Sequence, residues 1–148
     1  MKKLFTVALA AVLALALVAC SGGKKADGVY TAKVDAAYAE ANHGWTDELT
    51  LTYKDGKVVE AVYESYDADG AKKSESTEYA EAMTGAGGPS PAEWIPQLAS
   101  NVVAAGSPDK VEVVAGATNA SNSVIALYEG IEKDGKAGET ITVTIPTT

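Results

Sequence analysis

Arginine is absent: all twelve positive residues of the chain are lysines. No planar guanidinium is available to grip a phosphate or carboxylate with two parallel hydrogen bonds, so an anion has to be held by lysines, hydroxyls or backbone N–H groups. One histidine, His43, and one cysteine, Cys20, complete the short supply of metal ligands and nucleophiles. That excludes a histidine cluster, an internal disulfide and a zinc–thiolate centre. A Ser-His-Asp centre would have to use His43, and no serine is marked as its partner, which makes a hydrolytic enzyme a poor reading. The net charge of −8 and the pI near 4.6 leave no basic face for nucleic acid.

What is present begins with an apolar run, Leu4 to Ala19, behind Lys2 and Lys3. It reads as a secretory signal, too short for a comfortable membrane span. It ends in "LVAC", Leu17 to Cys20, which resembles the bacterial lipobox. That resemblance implies cleavage before Cys20 and a diacylglycerol on its thiol. The competing reading is an uncleaved anchor with an incidental cysteine. The expected layout is a lipoprotein signal over 1–19, a lipidated flexible tether over 20–26 and one domain over 27–148. Such a protein sits on the cell membrane, at its extracytoplasmic face.

Within the domain, "GVYTAKVD" alternates with Tyr30, Ala32 and Val34 on one side, a half-buried strand. "DELTLTYKDGKVVEAVYESY" reads as a hairpin closed by Asp55-Gly56. A two-residue loop sets Tyr53, Leu51 and Leu49 opposite Val58, Glu60 and Val62, and gives the other face Val59, Ala61 and Tyr63, so that both faces carry apolar residues. A short helix is expected over 75–83, with Tyr79 and Met83 one turn apart. Ser90 and Glu93 form a capping box with Pro91 at the first helical position. Trp94, Leu98 and Val102 follow at helical spacing, but Pro96 conflicts with a regular helix and predicts a separate first turn or a bend. "DKVEVV" reads as a strand, Val124, Leu127, Tyr128 and Ile131 as a helical stripe, and "TITVTIP" as a last strand. The class is α+β: a small, mostly antiparallel sheet with about three helices.

Few residues point to chemistry. "DADG", Asp67 to Gly70, lacks the spacing of a calcium loop and reads as a solvated turn. Trp94, on its helical stripe, reads as core. "VEVVAGATNASNS", Val111 to Ser123, is different. Three small residues and Thr118 stand where a β-like run meets a helix start. Gly116 lets the backbone approach a ligand closely, and a helix N-terminus offers unpaired N–H groups to an anion. On the residues alone two readings stay open, a cradle for an anion or a strand-to-helix turn built from small residues.

"GATNAS" resembles the signature of the FMN-binding domain family, which includes flavin subunits of sodium-pumping NADH:quinone reductase and Rnf complexes and small bacterial lipoproteins. The family motif is Asp, two variable residues, Ser or Thr, Gly, Ala, then Thr or Ser. In many members a flavin transferase joins FMN to the last hydroxyl through a phosphoester. Gly116, Ala117 and Thr118 match, and Thr118 falls on the attachment position. "DGVYTA", "HGWTDELTLTYKDGKVVEAVY", "SPAEWIPQL" and "SNSVIAL" keep the order of the lipoprotein members, so the likeness runs from Asp27 to about Ile145. Glu112 stands where Asp is usual and Ala115 where Ser or Thr is usual.

The resemblance implies a lipid-anchored, extracytoplasmic FMN-binding protein, an electron carrier rather than a stand-alone enzyme. Thr118 would hold the phosphate within a cradle of Gly116, Ala117 and Asn119, and His43 and Trp45 of "HGW" would line the ring. Covalent attachment at Thr118 is conditional on a flavin transferase accepting Glu112 and Ala115. The redox donor and acceptor stay unnamed. The alternative is a surface lipoprotein with a degenerate site, a binding or antigenic module without cofactor.

Overall fold

The computed structural model describes residues 24–147. The signal segment, Cys20 and most of the tether lie outside them. Strand β1, Gly28–Val34, is followed by helix α1, Ala36–Ala41, and by the hairpin of β2, Thr46–Lys54, and β3, Lys57–Tyr66. Helices α2, Thr77–Gly85, α3, Pro91–Ala105, and α4, Thr118–Asp134, precede strand β4, Thr140–Val143. The sheet order is β3-β2-β1-β4, antiparallel except where β4 runs parallel to β1. This is the expected α+β class. Helix α1 is an addition to the expected elements: Asp35 caps it by accepting from the Tyr38 N–H at 2.9 Å.

One face of the sheet carries the core. Tyr30, Ala32, Val34, Leu49, Leu51 and Tyr53 point inward in strict alternation and are buried. α3 lies against β3 and α4 against β1 and β2, and their apolar stripes, including Trp94, Leu98, Val124, Leu127 and Ile131, close the second layer.

The hairpin turn has positive φ at both Asp55 and Gly56, 53° and 74°, as a type I′ turn requires. Its register departs from expectation one residue beyond the turn. Tyr53 pairs with Val58, but Thr52 pairs with Glu60, so Val59 is an extra, unpaired residue in a bulge. The bulge exchanges the two faces of β3. Ala61 and Tyr63 now oppose Leu51 and Leu49, whereas Glu60 and Val62 turn to solvent. Glu60 thereby escapes burial among apolar neighbours, and the outer face is left uncovered, with Val59 53% and Val62 52% exposed.

Two other expectations meet the structure differently. The first turn of α3 is not separate: one helix runs through Pro96. Its ring lies on the exposed side, where water can satisfy the carbonyl that loses its partner. The segment 111–114 is not a strand. Its polar groups are taken by helix side chains instead: Asn101 donates to the Glu112 carbonyl at 2.7 Å, and the Val114 N–H donates to Ser121 at 3.0 Å. "DADG" is a turn, with Asp67 accepting from the N–H groups of Asp69 and Ala71.

Leu98 is wholly buried at the centre of α3. We predict that the segment from Asp27 onward unfolds in one cooperative transition, and that Leu98→Ala lowers its stability by about 2–5 kcal/mol. Urea unfolding followed by circular dichroism checks both. A gradual transition in the parent segment contradicts a single core, and an unchanged midpoint in Leu98→Ala contradicts the packing of α3.

Candidate functional site

The junction before α4 is a tight turn. The Ala117 N–H donates to the Val114 carbonyl at 3.0 Å, and Gly116 inside the turn has φ +83°. An L side chain would be strained there, and a Cβ would meet Pro89 Cδ at 2.7 Å. Ser121 clamps the turn from the helix. Its buried Oγ accepts from the Val114 N–H and donates to the Ala117 carbonyl at 2.8 Å. Ala117 is the residue before the helix, and no side chain caps α4. The first-turn N–H groups, with the positive end of the helix dipole, are therefore open to solvent or to an anion. Thr118 and Asn119 are exposed beside them.

This helix start forms one wall of a cleft of about 340 Å³. That volume is near the lower end for small-molecule sites, about 300–1,000 Å³. Gly116, Ala117, Thr118 and Asn119 line it, together with Asn42 and His43 from the end of α1. The rest of the lining is aromatic and polar, and includes Asp47 of β2, Tyr63 of β3, Tyr79 and Met83 of α2, Trp94 of α3, and Lys73. Tyr63 Oη and Trp94 Nε1 are buried without a hydrogen-bond partner, as are the hydroxyls of Ser107, Ser123 and Tyr128 away from the cleft.

Lys73 is 3% exposed. It lies in a turn of 3₁₀ helix, Lys73–Glu75, pinned to β3 by Glu64. Glu64 accepts from the Ser74 hydroxyl at 2.5 Å and from the Ser74 N–H at 3.3 Å. The Lys73 ammonium stands 4.4 Å from the ring centre of Tyr79 and 5.0 Å from that of Trp45. Burial pushes its pKa down from the ordinary lysine value, and the charges of Asp47 and Glu64 work against that shift. Asp47 is 2% exposed and is engaged elsewhere: its Oδ1 accepts from Ser65 Oγ at 2.5 Å and from Asn42 Nδ2 at 3.5 Å. Burial, reinforced by the Asp47 charge, raises the pKa of the Tyr63 and Tyr79 phenols.

The fold thus brings His43, Gly116, Ala117, Thr118 and Asn119 to one cleft, although His43 and Gly116 stand 73 positions apart in the chain. Trp45 is not on the wall. It packs edge-on against Tyr79, ring centres 6.0 Å apart, and so supports a residue that is. Trp94 is core, as its stripe indicates, and also borders the cleft. Sequence reasoning missed Lys73, Asp47 and Tyr63. Asp47 shares the parity of Leu49 and Leu51, a signal that it faces inward. The hairpin pattern without its bulge puts Tyr63 on the other face, and Lys73 has no such signal in its loop.

We predict that Ser121→Ala, which orphans the Val114 N–H, destabilises the domain by about 1–3 kcal/mol and speeds amide exchange across 114–117. Thermal unfolding and hydrogen exchange check this. Unchanged exchange in that segment contradicts the clamp.

No family model matches the chain. It is similar to the 15 kDa lipoprotein of Treponema pallidum (strain Nichols), with 33% identity over 128 residues, 86% of this chain and 88% of that protein. It is also similar to the crystal structure of the CPE2226 protein from Clostridium perfringens, with a TM-score of 0.72 and 32% identity over 84% of this chain and 100% of that one. The identity and near-complete coverage of the first relative place the chain in the family of small lipoproteins that includes the 15 kDa lipoprotein of Treponema pallidum.

Proposed function

We propose that the protein is a lipid-anchored, extracytoplasmic FMN-binding protein that carries electrons, with the FMN phosphate at Thr118. The observation that carries this reading is the convergence on one cleft of "GAT", the uncapped start of α4 and an aromatic wall with a buried lysine. The residues fit the cofactor. A phosphate suits the first-turn N–H groups and the Thr118 hydroxyl, the more so in a chain without arginine. A flat ring suits the aromatic lining of Tyr63, Tyr79 and Trp94. FMN supplies the redox chemistry when bound. The chain binds it, orients it and sets the charge around it.

A second reading has its own support. Gly116 has a packing reason to be glycine, since a Cβ there would strike Pro89. Ala115 and Glu112 depart from the flavinylation motif and are exposed. A lipoprotein that keeps the turn for packing and binds no cofactor would look the same at Gly116. It would not require an uncapped helix start, nor a buried lysine facing the cleft.

The anchor is part of the proposal and rests on "LVAC" and on the lipoprotein relative. We predict that Cys20→Ser releases the protein from membranes or leaves its signal uncleaved. A fully processed, membrane-bound Cys20→Ser protein contradicts lipidation at that residue.

Thr118 is tested by mass. The exported protein is expressed with an active flavin transferase, denatured and weighed intact. Covalent attachment predicts an added FMN less one water, absent from Thr118→Ala. Non-covalent binding predicts flavin released on denaturation and a native titration weakened by the same substitution. Wild-type protein that binds FMN in neither way leaves the cofactor-free reading.

A further inference from the structure

The tether joins the domain at the end that carries the hairpin turn. A Cβ on Gly56 would strike the side chain of Lys24. The Asp55 N–H donates to the Asp27 carboxylate at 2.8 Å. Lys25 Nζ donates at 2.9 Å to the carbonyl of Gly135, which ends α4. Segments 24–27, 54–57 and 132–139 therefore meet at one end of the domain. The cleft lies at the other. β2 runs from Asp47 on the cleft to Lys54 at the turn, and α4 from Thr118 on the cleft to Asp134. A helix of 17 residues is about 25 Å long.

Charge is divided between these two ends. The three segments at the tether carry Lys24, Lys25, Lys54, Lys57, Lys133 and Lys136, half of the chain's twelve lysines, but only five of its twenty carboxylates. Two of those five are engaged, Asp27 with the Asp55 N–H and Glu132 with the Tyr53 hydroxyl. Five of the six lysines are exposed, and among the described residues none of the six is in an ion pair. Segments 33–48 and 64–81 supply Asn42, His43, Asp47, Lys73 and Tyr79 to the cleft, and they carry ten carboxylates against three lysines. The domain is thus a charge dipole, near balance at the tether and strongly negative at the cleft.

We propose that the lysine-bearing end docks on anionic phospholipid, so that the domain stands on the membrane with its cleft turned away from the bilayer. This rests on the lipid anchor at Cys20 proposed above and is independent of the FMN reading. Two observations choose the membrane as the occupant of this end. Four residues separate Cys20 from Lys24, and an extended chain of that length reaches at most about 14 Å, so a lipid on Cys20 keeps this end beside the headgroups. The charges are also complementary: an anionic leaflet attracts lysines within about a Debye length and repels the acidic end. The tether supplies nearness and the dipole supplies direction. A cleft held at the far end is open to a water-soluble partner rather than to the lipid phase.

The test uses the full lipidated protein, reconstituted on vesicles of phosphatidylcholine alone or of phosphatidylcholine and phosphatidylglycerol in equal parts. With Cys20 occupied by lipid, an introduced cysteine is the one free thiol for a dye. Ala137→Cys marks the tether end and Ala71→Cys the cleft end; both positions are exposed. Energy transfer to an acceptor on the lipid headgroups reads the height of each. On the mixed vesicles transfer from position 137 is expected to exceed that from 71 by at least about twofold, given ends about 25 Å apart. On phosphatidylcholine alone, or in about 1 M salt, the ratio falls toward one. Replacing the exposed Lys54, Lys57, Lys133 and Lys136 together by Gln also lowers it. A ratio near one on the mixed vesicles overturns the proposal, and so does a ratio that neither neutral lipid, salt nor the Lys→Gln variant changes. If that variant does not fold, neutral lipid and salt still decide on the protein with its lysines intact. Protein whose intact mass shows no diacylglycerol overturns the anchor and this inference with it, whereas lipidated protein without a preferred orientation overturns this inference and leaves the anchor standing.

Discussion

The apolar stripe of α4 on the inner face of β1 and β2 is the constraint on which the rest depends. Val124, Leu127, Tyr128 and Ile131 are wholly buried there, and they fix the helix in rotation and along its axis. Once α4 is fixed, its N-terminus has one possible place, at the cleft that the end of α1, Tyr63 and Trp94 also line. The turn before it cannot drift, because Ser121 holds both the Val114 N–H and the Ala117 carbonyl. The helix start is thus positioned by a hydrophobic contact a few turns away. The missing cap is tolerable because that contact, rather than local hydrogen bonding, holds the helix.

Polar burial around the cleft opposes stability rather than aiding it. Lys73, Asp47, Glu64 and Ser65 are all buried, and two further polar atoms, on Tyr63 and Trp94, have no partner. Such groups cost free energy unless they are paired, and apolar replacements of similar size are often neutral or stabilising. The carboxylates accept hydrogen bonds from serines and Asn42 and their charges act on Lys73, so the remaining cost falls on the dehydration of its ammonium and on the two aromatic donors. Lys73, Tyr63 and Trp94 line the same cleft as the start of α4. Concentrated departures from core chemistry of this kind mark functional surfaces.

Legibility from sequence followed the range of the interactions. The hairpin turn, the capping partners Ser90 and Glu93, the Trp94–Leu98–Val102 stripe and the α4 stripe each depend on residues a few positions apart, and each is found where its pattern points. The Val59 bulge does not show in the hairpin pattern, since Val58 and Val59 are equally apolar. What selects it is the placement of Tyr63 against Trp94, ring centres 6.4 Å apart, and the exit of Glu60 to solvent. The stretch 111–114 has strand-like residues, yet its polar groups are met by Asn101 and Ser121, and β4 occupies the position beside β1. Pro96 is likewise decided by which side of α3 faces water.

The sequence by itself determined the α+β class, the inward residues of β1 and β2, the helix stripes, the Gly116–Thr118 junction and, through its relative, membership of a small lipoprotein family. All of these rest on residue spacing, on short motifs or on overall likeness, and each is carried by the chain order. Only the tertiary structure decided that His43, Asp47, Tyr63, Lys73 and Thr118 border the same cleft. They come from separate elements, and no periodicity relates them. Burial is what turned Lys73 from one of twelve lysines into a dehydrated cation, and burial is a property of the surroundings rather than of the residue.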